Sequence, residues 1–179
     1  MTTAAPGARQ ALFVDRDGTL IVDVGYPRDP ARVEPLPGAF EALRELGARF
    51  ALVIISNQSG IGRGLITEAE AQAVHDRVIE VFTREGVRFA GAYYCPHAPD
   101  ASCPCRKPAP GLLLDAAREL GLDVAHSIML GDKASDVAAG RAAGCRHTVR
   151  FGPDTDSSDA SQRCDDWSAV ARFLRSAGR

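Results

Sequence analysis

The segment Asp15-Arg16-Asp17-Gly18-Thr19 sets two carboxylates one residue apart, directly after the apolar stretch at residues 11–14. Side chains alternate along an extended chain, so Asp15 and Asp17 are expected on the same side near a strand's end. Such a pair can divide labour, one carboxylate attacking as a nucleophile while the other moves protons. With water, the same pair can hold Mg²⁺, a hard cation that takes few protein oxygens and keeps several waters. Taken alone, D-x-D-G-T is also compatible with a plain solvated loop.

Three further segments carry polar chemistry at the ends of apolar runs. Ser56-Asn57-Gln58-Ser59-Gly60 follows residues 52–55, and its hydroxyl and amides can donate to phosphate oxygens, or simply form a turn. Arg106-Lys107-Pro108-Ala109-Pro110-Gly111 places two cations beside two prolines that stiffen the backbone. A lysine held there can neutralise charge on a transferring phosphoryl group. Gly131-Asp132-Lys133-Ala134-Ser135-Asp136 follows residues 127–130. Asp132 could complete a Mg²⁺ site and Asp136 could orient Lys107 or a metal-bound water; Asp132 or Ser135 could equally cap a helix with Asp136 in its first turn. Cys95-Pro96-His97 and Cys103-Pro104-Cys105 gather three thiols and an imidazole, a closed tetrahedral donor set for a structural Zn²⁺.

These residues need elements to position them. Residues 12–14, 50–55, 91–95 and 127–130 read as short buried strands, and residues 38–46, 67–85, 111–120 and 135–143 as helices. Thr67 followed by Glu70 is a capping-box pattern for the second helix. Strands and helices that alternate in this way imply an α/β fold: an open, mostly parallel sheet with helices on both faces. Ligands then bind beyond the carboxyl ends of the strands, where each polar segment above falls. Residues 1–10 read as a disordered tail, residues 154–162 as a polar stretch before a last strand or helix at residues 167–174, and residues 1–179 as a single domain.

Composition narrows the function classes. A net charge of -2 argues against a general nucleic-acid binder, and no apolar run approaches the roughly 20 residues that span a bilayer. The start of the chain carries no apolar leader pattern, so the expected compartment is cytoplasmic and the expected state a monomer. Five cysteines, an odd number, favour thiols and metal over disulfides in that setting. His75, His126, His147, Cys145, Cys164 and Trp167 read as structural, with His75 on the surface of its helix or half-buried.

Asp-x-Asp-Gly-Thr, a strand-end Ser, Lys-Pro and Gly-Asp-x-x-x-Asp in this order resemble the haloacid dehalogenase (HAD) superfamily of phosphotransferases. The stretches D-R-D-G-T-L-I-V-D-V-G-Y, N-Q-S-G-I-G-R-G, Y-Y-C-P-H, C-R-K-P-A-P-G and G-D-K are similar to the small, capless D-glycero-D-manno-heptose 1,7-bisphosphate 7-phosphatases. The resemblance runs over residues 12–151. It implies a HAD-like Rossmannoid fold with a zinc loop at residues 95–105, and a Mg²⁺-dependent phosphatase acting on a phosphorylated sugar in the making of nucleotide-activated heptose. It implies Asp15 as the nucleophile, forming an aspartyl-phosphate, and Asp17 as the acid and base. Ser56 and Lys107 would stabilise the phosphoryl group. Mg²⁺ would sit on Asp15, the backbone carbonyl of Asp17 and Asp132, and Zn²⁺ on Cys95, His97, Cys103 and Cys105. Asp23, Tyr26, Asn57, Gln58, Ser59, Arg63, Arg106 and Lys133 would border the substrate. Relatives often carry threonine where Ser56 stands, and the hydroxyl is kept. Histidinol-phosphate phosphatase shares the zinc knot and is the alternative activity. A catalytically dead, zinc-stabilised binding protein is a more distant one.

Overall fold

The computed structural model describes residues 8–153 and 159–177. In chain order its elements are β1 (Arg9–Val14), α1 (Ala39–Gly47), β2 (Ala51–Asn57), α2 (Ser59–Gly62), α3 (Glu68–Arg84) and β3 (Phe89–Cys95). They continue with α4 (Gly111–Leu120), β4 (Leu122–Gly131), α5 (Ala134–Ala143), β5 (His147–Phe151), β6 (Gln162–Cys164) and α6 (Trp167–Ser176).

Alternation along the strands builds two cores, one on each side of the sheet. Leu12 and Val14 of β1, Leu52 and Ile54 of β2, and Ile128 and Leu130 of β4 face one way. They pack with Leu43 and Leu46 of α1, Phe82 of α3, and Trp167, Val170 and Leu174 of α6. Ala11, Phe13, Val53, Ile55 and Met129 face the other way, onto Leu112, Leu113 and Ala116 of α4 and Ala139 of α5. Strands buried on both faces read as continuous apolar runs, and this is why residues 11–14 of β1 and 51–55 of β2 carry no polar residue. Each of these large side chains contributes on the order of 1.5–3 kcal/mol on burial.

Local signals fix where the helices start. At α3, Thr67 Oγ1 accepts from the Glu70 amide at 3.1 Å and Glu70 Oε2 accepts from the Thr67 amide at 2.7 Å, the expected capping box. At α6, Asp166 accepts from the Ala169 amide at 2.8 Å. The indole of Trp167, fully buried one residue later, donates to the Thr19 carbonyl at 2.9 Å and ties α6 to the loop after β1.

The six strands are parallel in the order β3-β2-β1-β4-β5-β6. Successive strands run outward from β1 to β3, and the chain then crosses back to lay β4 on the other side of β1. The carboxyl ends of β1 and β4 therefore flank a topological switch point, the usual ligand crevice of an open α/β sheet. No helix among the described residues is long and apolar enough to cross a membrane.

Some boundaries differ from the sequence reading. β1 begins at Arg9, inside the stretch read as a tail, because Arg9 pairs with Leu122 and its guanidinium donates to the carbonyls of Gly47 and Phe50 at 2.8 and 2.9 Å. Residues 1–7 and 154–158 lie outside the described residues. β5 was not anticipated, since His147 and Arg150 interrupt its apolar positions, nor was the three-residue β6. His75, read as a surface or half-buried residue, is 3% exposed and packs edge-on against Tyr94.

Candidate active site

The D-x-D motif is a loop and not a strand end, which corrects the alternation argument. β1 stops at Val14, and the amides of Leu20 and Ile21 then both bond to the Arg16 carbonyl, at 2.9 and 3.1 Å. Gly18 adopts φ +84°, and a Cβ there would lie 2.4 Å from Asp132 Oδ2, so the loop after β1 touches the loop after β4 only because this residue has no side chain. Asp15 and Asp17 still share one cleft, but through the folded loop and with different partners.

Asp15 is held by Lys107. The ammonium lies 2.6 Å from Asp15 Oδ1 and 2.6 Å from Asp136 Oδ1, and donates to the Ile55 carbonyl at 2.8 Å. All three side chains are buried. Burial alone would push the Lys107 pKa down, but Asp136 and then Asp15 outweigh it and hold the lysine above its ordinary value, fully charged. Burial pushes Asp15 well up, Lys107 opposes, and the like charges of Asp136, Asp132 and Asp17 push further. The site is therefore short of positive charge where its carboxylates meet.

The supply of Lys107 to this point is itself built. Asn57 Nδ2 donates to the Lys107 carbonyl at 3.0 Å while Asn57 Oδ1 accepts from the Lys107 amide at 3.1 Å, clamping that backbone from both sides. The second oxygen of Asp136 accepts from the Lys133 amide at 2.9 Å. Asp136 thus spends both oxygens on positioning, and a Cβ on Gly131 would strike it at 2.3 Å.

Asp17 belongs to a different set. Gln58 Nε2 donates to Asp17 Oδ2 at 2.8 Å and to Ser56 Oγ at 2.7 Å, and the guanidinium of Arg16 reaches both Asp17 oxygens, at 3.1 and 3.2 Å. Asp15, Asp132 and Asp136 bring carboxylate oxygens within 4.8 Å of one another, close enough to hold a metal ion. Asp132 Oδ1 is buried without a hydrogen-bond partner, as a ligand awaiting a cation would be. Oxygen donors alone suit a hard divalent ion.

A cleft of about 540 Å³ opens above these groups. Asp15, Asp17, Asn57, Gln58, Ser59 and Lys107 form its inner wall, and Asp23, Tyr26, Arg106 and Lys133 its rim, with Gly25, Pro108 and Ser135 between. Lys133 Nζ bonds Asp23 across the rim at 3.1 Å. Ser56 and Asp132 lie beneath the wall rather than in it. Arg63, expected at the substrate, is not brought to the cleft: α2 carries it to a separate depression beside Ala98 and Asp100. The sequence reading passed over Arg16, although a cation between two carboxylates is itself a signal.

Beside the cleft, Cys95, His97, Cys103 and Cys105 converge. Their sulfur–sulfur separations are 3.2, 3.5 and 3.7 Å, and His97 Nδ1 is 3.2 Å from Cys105 and 3.4 Å from Cys95. These are far longer than a disulfide bond of about 2.05 Å and near the edges of about 3.8 Å that zinc–sulfur bonds of about 2.3 Å imply for a tetrahedron. The cluster could hold a metal ion. Its chain runs straight from Cys105 into Arg106 and Lys107, so the knot and these two cleft-lining cations are positioned together.

Residues 104–159 match the HAD-hydrolase-like family. The chain is 42% identical over 178 residues to the D-glycero-beta-D-manno-heptose-1,7-bisphosphate 7-phosphatase of Yersinia pestis, covering 93% of this chain and 91% of that one. It is 43% identical over 152 residues to the enzyme of the same name from Escherichia coli K12, covering 79% and 80%. Among solved structures it is similar to a D,D-heptose 1,7-bisphosphate phosphatase from B. bronchiseptica complexed with magnesium and phosphate. The TM-score is 0.84 at 31% identity, over 93% of this chain and 98% of that one.

Proposed function

This chain belongs to the D-glycero-beta-D-manno-heptose-1,7-bisphosphate 7-phosphatases within the HAD-like hydrolases, and from that premise we propose that it removes the 7-phosphate of this sugar bisphosphate through an aspartyl-phosphate on Asp15. The observation that carries the reading is Asp15 itself, buried at the switch point with Lys107 on one oxygen and the unpartnered Asp132 Oδ1 beside it. Asp15, the backbone carbonyl of Asp17 and Asp132 would hold Mg²⁺, which screens the repulsion between an anionic nucleophile and an anionic ester.

An oxygen of Asp15 attacks phosphorus as the bond from phosphorus to the C7 oxygen breaks. Asp17, protonated for this step, gives its proton to that oxygen, and the sugar leaves as an alcohol. Asp17, now a carboxylate, then takes a proton from water while the water oxygen bonds to phosphorus. The phosphorus–Asp15 bond breaks, phosphate departs and Asp15 is regenerated. Lys107 supplies positive charge at the phosphoryl oxygens, a positioning and electrostatic role of the kind phosphoryl transfer mainly needs. Gln58 donates to Ser56 Oγ, which leaves the hydroxyl's own proton free, and Ser56 acts from beneath the wall by holding Gln58 against Asp17.

Gln58 and Ser59 line the path to Asp15, and Arg106, Lys133, Asp23 and Tyr26 contact the rest of the sugar bisphosphate from the rim. Cys95, His97, Cys103 and Cys105 would hold a structural Zn²⁺, four protein donors being the set of a structural rather than a catalytic site. Phosphorus NMR of a Mg²⁺-dependent reaction tests this: the C7 phosphate signal should convert to inorganic phosphate while the C1 phosphate persists, and Asp15→Asn should stop the conversion. Loss of the C1 phosphate, or turnover retained in Asp15→Asn, would overturn the reading.

A further inference from the structure

We propose that Arg16 is a positioning residue for the proton-transfer carboxylate Asp17, fixing where that carboxyl group sits during departure of the sugar alkoxide. The inference rests on the reading of Asp17 as the acid, and adds a residue that the motif's spelling leaves unassigned. Arg16 is 0% exposed, an unusual state for a guanidinium. It forks onto the carboxylate next to it in sequence, Nε to Asp17 Oδ2 at 3.1 Å and its second nitrogen to Oδ1 at 3.2 Å. Gln58 adds a third donor on Oδ2.

A planar fork of this kind fixes the carboxylate plane, which a single point charge does not. The remaining guanidinium nitrogen is buried with no partner among the described residues, so the geometry of Arg16 is set toward Asp17 at the expense of its own hydrogen bonding. Behind it, His75 is buried against Tyr94, and burial together with the Arg16 charge keeps that imidazole neutral, so no second cation competes for Asp17. Proton transfer in the first half-reaction demands that an Asp17 oxygen meet the C7 oxygen within hydrogen-bond reach. Arg16, which does not line the cleft, holds the carboxyl group from behind, Gln58 holds it from the cleft wall, and Asp17 itself still lines the cleft where that oxygen would arrive.

The test uses leaving groups. A sugar or other alkyl phosphate needs a proton on its departing oxygen, whereas p-nitrophenolate leaves without one, and kcat/KM reports only the steps through loss of the leaving group. Arg16→Met and Arg16→Lys are compared with wild type and Asp17→Asn on the heptose bisphosphate and on p-nitrophenyl phosphate. The expected result is a loss on the alkyl phosphate at least tenfold larger than on the aryl one, in both Arg16 variants and in Asp17→Asn. Arg16→Lys keeps the charge and guards against a misfolded Arg16→Met. If Asp17→Asn shows the split and neither Arg16 variant does, the positioning role is refuted and Asp17 stands. If Asp17→Asn loses both substrates equally, the acid assignment itself is refuted and the inference falls with it.

Discussion

Lys107 is where structure and chemistry are least separable, and Lys107→Met is the perturbation that exposes it. Methionine keeps the length of the apolar stem but leaves Asp15 and Asp136, each 2.6 Å from the missing ammonium, facing each other and Asp132 in a buried site. Removing one partner of a buried ion pair costs about 3–5 kcal/mol. For a chain of this size that lowers Tm by roughly 6–20 °C. The loss is limited because a carboxyl group can take up a proton, and burial already pushes Asp15 well above the ordinary range. A carboxylate with a raised folded pKa contributes stability at low pH that disappears as pH rises through that pKa. The deficit of Lys107→Met should therefore be largest near pH 8 and shrink toward pH 5. Adding Asp136→Asn to Lys107→Met should recover stability, whereas Asp136→Asn alone should lose it, giving a coupling of about 2 kcal/mol. Urea denaturation of the four proteins without added Mg²⁺ measures the cycle. A Lys107→Met cost below about 1 kcal/mol, or strictly additive effects, would refute the charge argument.

Three further outcomes follow from buried contacts elsewhere in the fold. Burial, then the Arg16 charge, lowers His75 to about 4 from an ordinary 6.5, so stability should fall by up to about 3 kcal/mol as pH drops across that window. His75→Gln should flatten this slope in a denaturation pH series, and an unchanged slope would contradict the burial of a neutral ring. Trp167→Phe leaves the Thr19 carbonyl without its indole donor, at a cost of about 1–3 kcal/mol, visible in thermal melting; a shift under 1 °C would contradict it. A Cβ on Gly62 would lie 2.3 Å from the Ala98 amide nitrogen, so Gly62→Ala should displace the cysteine loop and lower the zinc bound below that of wild type, for which the proposed site would give one equivalent by metal analysis. Full zinc retention in that variant would show that the loop yields without loss.

The fold was legible where burial wrote a pattern: residues 12–14 and 50–55 are apolar throughout because helices cover both faces of β1 and β2. β5 escaped because polar residues occupy part of it near the sheet's edge, where β6 covers it with only three residues. In the site, residue types singled out Asp15, Lys107 and Asp132, and the fold brings Lys107 and Asp132 to Asp15. What spacing could not convey was which partner each residue would choose. Asn57, expected at substrate, lines the cleft but commits its amide to the Lys107 backbone, and Gln58 reaches Asp17 and Ser56. Arg63, expected at the substrate, follows the short helix α2 and lines a depression with Ala98 and Asp100, a placement that a glycine-rich sequence does not encode locally. Asp15 and Asp17 share the cleft for a reason other than strand alternation, since Gly18 lets the chain fold back onto Asp132.

The most direct test of the central claim is kcat/KM with Mg²⁺ on the alpha and beta anomers of D-glycero-D-manno-heptose 1,7-bisphosphate and on histidinol phosphate, measured side by side. The account predicts that the beta anomer exceeds histidinol phosphate by a hundredfold or more, about 2.7 kcal/mol of transition-state discrimination. An equal or greater kcat/KM on histidinol phosphate would contradict it.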